Sequence, residues 1–579
     1  MKAMRFLLSV PRSCGTGEPI ELYHNDRPNL SEVGHAILWA DQDVPVINLH
    51  GSGFVIGVLF SRATGERLPF LPPEAPLSDG AGALAAWIVR ECWGGYAGIL
   101  LGPEQSSINI IVDPSGYCPV YRLETATHIL YATSPGLLAE ALGAPLSVSW
   151  AALHAFLARP ELRQRGTCLE GVTEIAPGEL VSTFPDRDPS KRVWLPENYM
   201  PDGATTDFDE AASGLREIAV MVCAAWAKLF GPVTVAASGG VDSSLICAAL
   251  AATNAPFTCT TVATSDPSGD ERRFVQLLAQ HLGVQCVSAI YDPNAIDPLR
   301  TISIGLPRPS RKPFMQALDA ALVAGAGESG ASIVFDGNMG DNLFCYLHSS
   351  APIVDRLRSE GFGRGALSTF HDMCLVTGCD IPTMARAVGR RMMKRNAISA
   401  WPADLRFLVQ AAEFPDITEP LTPWLEKSVG MHGGKRGHLS LIMHAQLHIH
   451  GLAHCGLPRF TPLASQPLLE YCLRIPTWLW CQGGVNRALA RAAFASSLPR
   501  EIVARTSKAG PDSFIQRTFE QHRLVIQELL MDGLLARHRI IDCAAVEAAF
   551  RSNARVDNDI LLRLVDLAEA ENWARSWLK

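Results

Sequence analysis

The sequence predicts an α/β protein, with a doubly wound parallel sheet in its second half and a first part built mainly from antiparallel strands. Two patterns carry that expectation. From residue 233 onward, short apolar runs rich in small and β-branched residues alternate with segments of helical period, the order that builds a parallel sheet with crossover helices. Before that, runs such as AILWA, VPVINLHG and FVIGVLF over 36–60 alternate apolar with polar residues between short polar turns, which reads as neighbouring strands paired together. At 579 residues and 48% hydrophobic, the chain can bury more than one core, and two or three domains are expected.

Composition narrows the function classes. The net charge of −8 lacks the basic footprint of a general nucleic-acid binder, so no nucleic acid is expected as partner. Fifteen cysteines are scattered without a CxxC pair, and the apolar run in MKAMRFLLSV is too short for a secretory signal, so a cytoplasmic protein with free thiols is expected. No run is long enough to span a membrane; the nearest, over 218–230, is interrupted by Lys228.

In chain order, residues 83–92 read as a helix, followed by the meander runs GGYAGILL, INIIVDPSGYCPVYR and HILYATSP. The turn Asp113, Pro114, Ser115, Gly116 is ordinary turn chemistry. The stretch 186–207 is rich in Pro, Asp and charge and reads as a linker, placing one domain over 1–195 and a second over 208–579. An amphipathic helix over 208–229 carries Leu215, Ile218, Val222 and Trp226 on one face.

The stretch VTVAASGGVDSSLICAAL, 233–250, organises the second half. Its strand over 233–237 ends at Ser238, and Gly239 and Gly240 let the backbone turn its N–H groups toward one anion. A helix follows, so the loop lies on the positive end of a helix dipole and reads as a phosphate cradle. Asp242 is informative because a carboxylate beside phosphates is repelled unless a divalent cation lies between, which marks it as a Mg²⁺ ligand. SGGVDSS lacks the lysine of the kinase-type loop and resembles the pyrophosphate loop of N-type ATP pyrophosphatases. A turn without ligand is the alternative.

A second strand is expected over 257–262 and a third over 331–335, with a helix between them that places Phe274, Leu277, Leu278 and Leu282 on one face. Ligands of such a sheet bind beyond the carboxyl ends of its strands. Arg386, Arg390, Arg391, Lys394 and Arg395 make a basic helix over 381–395, either a solvated surface or a docking face for a peptide or protein. His444/His448 and His450/His454 have the i, i+4 spacing of zinc ligands, but no acidic ligand is near; together with His438 they read as packing or substrate-pocket residues. Residues 483–498 read as a further helix ending in LP, followed by EIVARTSKAG.

Gly94, Gly95, Tyr96 with DPSG and Pro119, Val120, Tyr121 resemble the glutamine-amidotransferase domain of the asparagine synthetase family, as does the closing turn TCLEGVTEIAPG. Asp270 and Glu271 resemble that family's acidic pair, and GNMGDN its second Mg²⁺ loop, which makes Asp341 the partner of Asp242. The resemblance implies an Ntn-hydrolase-like αββα sandwich followed by an ATP-pyrophosphatase (HUP-like) domain with extra helices. It implies ATP and Mg²⁺ as cofactors, with nucleotide contacts from Ala237, Ser238, Gly239, Gly240, Asp242, Ser243, Ser244, Val262, Asp336 and Gly337. Arg505 and Lys508 resemble the R-x-x-K-x-G of β-lactam synthetases, where the lysine stabilises the developing oxyanion.

The departures from the family matter too. The family's nucleophilic cysteine stands at the mature N-terminus; here the first cysteine is Cys14, so the first domain is expected to be glutaminase-dead, with Cys14 and Cys92 as plain thiols. Asn338 and Asn342 stand where relatives carry acids or a tyrosine, and neither amide is a general base near neutrality. GNMGDN and PLASQPLLEYCLRIPTWLW most resemble lasso peptide cyclases. That resemblance implies adenylation of an Asp or Glu side chain of a precursor peptide, attack by the peptide's N-terminal amine to close an isopeptide macrolactam, and a leader peptidase as possible partner. Another ATP-dependent amide synthetase acting on a small molecule, and a non-catalytic scaffold, are the alternatives.

Overall fold

The computed structural model describes residues 4–12, 29–102, 107–183, 191–200, 207–264, 270–309, 315–393, 403–410, 433–446, 449, 459–506, 512–551 and 557–578. The first part contains β1 (Phe6–Pro11), β2 (Asn29–Val33), β3 (Ala36–Ala40), β4 (Val46–Asn48), β5 (Gly53–Ser61), β6 (Arg67–Leu68), β7 (Cys92–Leu101), β8 (Ile108–Val112), β9 (Tyr121–Glu124), β10 (His128–Ala132), β11 (Val172–Glu174), β12 (Glu179–Ser182) and β13 (Lys191–Arg192). They form two sheets, ordered β11-β9-β10-β1-β3-β2 and β13-β12-β8-β7-β5-β4, with β6 paired to β5.

Strand alternation explains how these sheets stack, because successive side chains point to opposite faces. Phe6, Leu8 and Val10 share one buried cluster with Ile56, Ala97, Ile99 and Ile110, so the inner faces of the two sheets meet there. On the far face of the second sheet, Leu59 and Tyr96 share a buried cluster with Leu84 and Ile88 of helix α1 (Ala81–Glu91). On the far face of the first, Leu7, Tyr121 and Leu130 pack with helices α2 (Pro135–Leu142) and α3 (Trp150–Ala158). The layers are therefore helix, sheet, sheet, helix, the expected αββα sandwich.

The second half opens with α4 (Phe208–Phe230), capped by Asp207, whose carboxylate accepts from the Glu210 N–H. There follow β14 (Val233–Ala236), α5 (Val241–Ala251), β15 (Phe257–Ala263), α6 (Arg272–Leu282), β16 (Cys286–Ile290), α7 (Met315–Ser329), β17 (Ile333–Asp336) and β18 (Arg459–Phe460). These five strands are parallel, in the order β16-β15-β14-β17-β18. The chain runs outward from β14 through β15 and β16, then returns to β17 on the other side. The strand order thus reverses between β14 and β17, and the loops leaving these two strands meet at their carboxyl ends, the place where such sheets form a ligand crevice.

Both faces of this sheet are covered. Val233, Val235, Cys259, Ile333 and Phe335 pack toward α4, α5 and α6. On the opposite face Thr234 and Thr260 join hydroxyls at 2.7 Å. Helix α7 lies so close there that a Cβ on its Gly325 would come within 2.6 Å of Thr260, which is why that helix is so rich in Ala and Gly.

The two halves share a core. Trp226 of α4 meets Phe60 edge-on at 4.9 Å and Trp93 at 5.9 Å, both from the first part, and its ring lies 4.4 Å from Phe460 of β18. Tyr117, the residue just past the DPSG turn, stacks on Phe460 at 4.7 Å. Residues 191–200, inside the expected linker, are packed as well: Trp194 is buried and its Nε1 donates to Glu470 at 2.8 Å. A buried ion cluster adds a polar tie, with Glu174 accepting from Arg163 and, at 2.8 Å, from Arg308. Helices Asp512–Met531, Cys543–Arg551 and Asn558–Ser576 pack back against the α2/α3 layer in the same buried cluster.

One expected element is different. The helix read over 483–498 is interrupted: a 3-10 helix spans Thr477–Gly484 and a short helix Ala488–Ala493 follows. Gly483, Gly484 and Arg487 adopt left-handed backbone between them, with φ of 74°, 71° and 53°. The helix Ile381–Met393 exposes Arg386 and Arg390 to solvent, while Lys394 and Arg395 lie outside the described residues. Among the described residues no helix is long and apolar enough to cross a membrane.

Candidate active site

The cradle is built as its residue types dictate. β14 delivers Ala237, whose N–H donates to Thr260 O at 2.9 Å, and the loop then folds on itself: Ser238 N–H donates to Ser243 Oγ at 3.2 Å and Gly240 N–H to Ser238 Oγ at 3.4 Å. Gly239 has φ 63°, and a Cβ there would lie 2.4 Å from the Phe274 Cβ, so no other residue fits without displacing α6. Asp242, Ser243 and Ser244 are buried in the first turn of α5.

The second loop leaves β17 and presses directly on that turn. A Cβ on Gly337 would stand 2.8 Å from Ser243 N, and one on Gly340 would stand 2.3 Å from the Asp242 Cγ. The absence of side chains at these two positions is what lets the loops close upon each other. Overpacking of this kind costs about 1–3 kcal/mol. Gly340→Ala is therefore expected to lower stability by about that amount, read as a drop in the unfolding midpoint in urea followed by circular dichroism.

Asp336 anchors the second loop. Its carboxylate accepts from Asn338 N–H at 3.2 Å and Nδ2 at 2.9 Å, from Thr461 Oγ1 at 2.7 Å and from Arg459 Nη2 at 3.2 Å. Thr461 is held in turn by the first half, since Tyr117 donates its hydroxyl to Thr461 O at 2.6 Å. That turn is itself fixed by buried Asp113, which accepts from Tyr117 and Cys118 N–H and whose carboxyl burial pushes up to about 7 against those donors.

Asp341, in the short helix Gly340–Leu343, faces Asp242 across the crevice, and both carboxylates accept from one guanidinium nitrogen, Nη1 of Arg487. Nothing in the sequence reading singled out Arg487. Arg491 fixes the segment around it, donating from Nε to Asn486 O at 2.9 Å and from Nη2 to Arg505 O at 2.8 Å. Burial, and then Arg487 beside it, push the Arg491 guanidinium down to about 10. Arg505 lies against the cradle: Nη1 donates to Ser238 O at 2.9 Å, Nη2 pairs with Glu271 at 2.7 Å, and the guanidinium stacks 4.0 Å over Phe274.

The other sequence candidates are placed as follows. Val262 is on β15, in the strand beside the cradle. Lys508 lies outside the described residues, as do Cys14, His448, His450 and His454. His438 is buried, with Nε2 2.8 Å from Leu343 O and burial pushing it down to about 4, which makes it a neutral packing residue. Cys92 is buried with its thiol pushed up to about 12 by burial, and so is an inert core residue.

The donor set suits magnesium. Two carboxylates from separate strand ends converge beside a phosphate cradle, and Mg²⁺ usually takes one or two carboxylates and completes its shell with phosphate and water oxygens. Among the described residues no group of three or more His, Cys, Asp or Glu side chains could hold a metal.

The asparagine synthase family model matches residues 227–575, more than half of the chain. No curated protein matches it. Among solved structures, the structure of the allosteric regulatory enzyme of purine biosynthesis aligns over 51% of this chain and 76% of its own, at 12% identity and a TM-score of 0.19. Glutamine phosphoribosylpyrophosphate amidotransferase from B. subtilis, complexed with ADP and GMP, aligns over 58% of this chain and 86% of its own, at 12% identity and a TM-score of 0.19.

Proposed function

This chain belongs to the asparagine synthase family, and from that membership we propose that it adenylates a side-chain carboxylate of a precursor peptide and closes an isopeptide ring with the peptide's own N-terminal amine. ATP-dependent amide-bond formation is the family's general chemistry. The observation that carries its assignment to this crevice is the convergence of Asp242 and Asp341 on one point beside the cradle.

In this reading the loop Ser238–Gly240, shaped by its internal hydrogen bonds, and the amino end of α5 hold the β and γ phosphates. Asp242 and Asp341 would hold Mg²⁺, which when bound would screen the phosphates and polarise them toward displacement. Arg505 keeps the cradle in shape through the Ser238 carbonyl, and Lys508 is assigned to the oxyanion of the acyl transfer. The Asn338 and Asn342 amides both donate within the protein, to Asp336 and to Leu441 O. Neither is a base, so ring closure depends on holding amine and mixed anhydride together in one orientation. GNMGDN and PLASQPLLEYCLRIPTWLW support the peptide as substrate through their resemblance to lasso peptide cyclases, and a leader peptidase is then the expected partner.

The test is incubation with ATP, Mg²⁺ and a leader-free core peptide that carries an internal Asp or Glu. The expected result is a peptide lighter by one water, with AMP and pyrophosphate formed in equal amount. Turnover with a free amino acid or ammonia instead would transfer the proposal to a small-molecule amide synthetase, and no pyrophosphate with any acid would overturn both.

A further inference from the structure

The two carboxylates of the crevice already have a cation. Arg487 Nη1 donates to Asp242 at 3.1 Å to Oδ1 and 2.8 Å to Oδ2, and also to Oδ1 of Asp341. The Arg487 side chain is 10% exposed and that of Asp242 6%, so this contact is largely removed from solvent. Asp341 is 49% exposed, so the cost of losing the contact falls on Asp242, a buried carboxylate that would be left beside a second negative charge.

Three features aim the guanidinium. Arg487 holds φ 53° and ψ 35°, a left-handed conformation that L side chains rarely adopt. Its Nε donates to Asn486 Oδ1 at 3.3 Å, and Asn486 is gripped at both its carbonyl and its side-chain oxygen by Arg491. The Tyr346 ring lies 5.2 Å from the guanidinium carbon, offering it a π face. Strained backbone held in place by its surroundings is a sign that the side chain it presents has a task.

A divalent ion at this site needs the same oxygens that Arg487 occupies. We propose that Arg487 is the resident counter-ion of the magnesium site, holding Asp242 and Asp341 in register while the cradle is empty and yielding them only when Mg²⁺ arrives with a triphosphate. Mg²⁺ gives up its waters reluctantly, and two carboxylates already paired to a buried arginine offer it little. A triphosphate changes the balance by supplying further oxygen ligands together with negative charge for the displaced guanidinium. Metal and nucleotide binding are then coupled, each strengthening the other by the same factor.

This inference rests on the ATP-dependent reading above, and its test separates the two. The probe is MnCl₂, titrated into the full-length protein while free Mn²⁺ is followed by electron paramagnetic resonance, with and without a non-hydrolysable ATP analogue. Wild-type protein and Arg487→Lys are expected to bind Mn²⁺ weakly without nucleotide, and Arg487→Met about tenfold more tightly. Mn²⁺ binding to Arg487→Met no tighter than to wild type, with its circular dichroism unchanged, overturns the proposal. Should the methionine variant fail to fold, Arg487→Gln carries the same expectation. The wild type gives an arm that needs no variant: Mn²⁺ held as tightly without the analogue as with it also overturns the proposal. Absence of ATP-dependent pyrophosphate from wild type, by contrast, removes the functional reading whatever Mn²⁺ does.

Discussion

Replacing Asp242 with asparagine is expected to reduce ATP-dependent pyrophosphate release by about a thousandfold or more, the scale on which one preorganised charge contributes to phosphoryl or adenylyl chemistry. The change is nearly isosteric, so the crowded contact with Gly340 survives and an amide oxygen can still accept from Arg487. What disappears is the negative charge, and with it one of the two carboxylates proposed to hold Mg²⁺. Arg487 keeps Asp341 as a partner but loses the buried charge of Asp242, so the unfolding temperature should fall while turnover collapses. A folded Asp242→Asn enzyme that releases pyrophosphate at the wild-type rate would show that the acid is only an α5 first-turn charge.

The second large effect concerns stability. Glu174→Gln leaves the buried guanidinium groups of Arg163 and Arg308 facing a neutral amide, and such a removal typically costs about 3–5 kcal/mol. Urea unfolding followed by tryptophan fluorescence should show the midpoint shift, and a loss below about 1 kcal/mol would mean that the arginines find other partners easily. The pH dependence has a definite sign. Burial pushes the Glu174 carboxyl up, but Arg163 and Arg308 outweigh it and hold the folded group below its ordinary range. A depressed folded value gives stability that is fully present above the unfolded carboxylate range and is lost as pH falls through the folded value. The variant's stability curve should accordingly be flatter than the wild type's on the acid side.

Sequence alone revealed what is local. SGGVDSS and GNMGDN each fold within a few residues of a strand end, so spacing and residue type sufficed to place the cradle and the second acid loop. Arg487 was illegible for the opposite reason. It lies 245 positions from Asp242 and 146 from Asp341, and its reach depends on a left-handed backbone inside a stretch whose composition reads as continuous helix. The two adjacent glycines, Gly483 and Gly484, were the available signal for that break. The strand Phe6–Pro11 was also passed over, because its apolar run is short and does not alternate with polar residues; yet it pairs on both sides, with His128–Ala132 and with Ala36–Ala40. Asp336 was expected to meet nucleotide, and the structure uses all of its visible acceptor capacity to tie the loop to Asn338, Arg459 and Thr461.

The aromatic cluster centred on Trp226 joins the two halves of this chain. Phe60, Trp93 and Tyr117 come from the sandwich, and they cover the ring of the helix that leads into β14. Cutting the chain between the two halves would strip apolar rings from both sides at once and leave Thr461 without its tyrosine. Neither half thus has a finished surface of its own, and the chain cannot keep its second half folded while dropping the first.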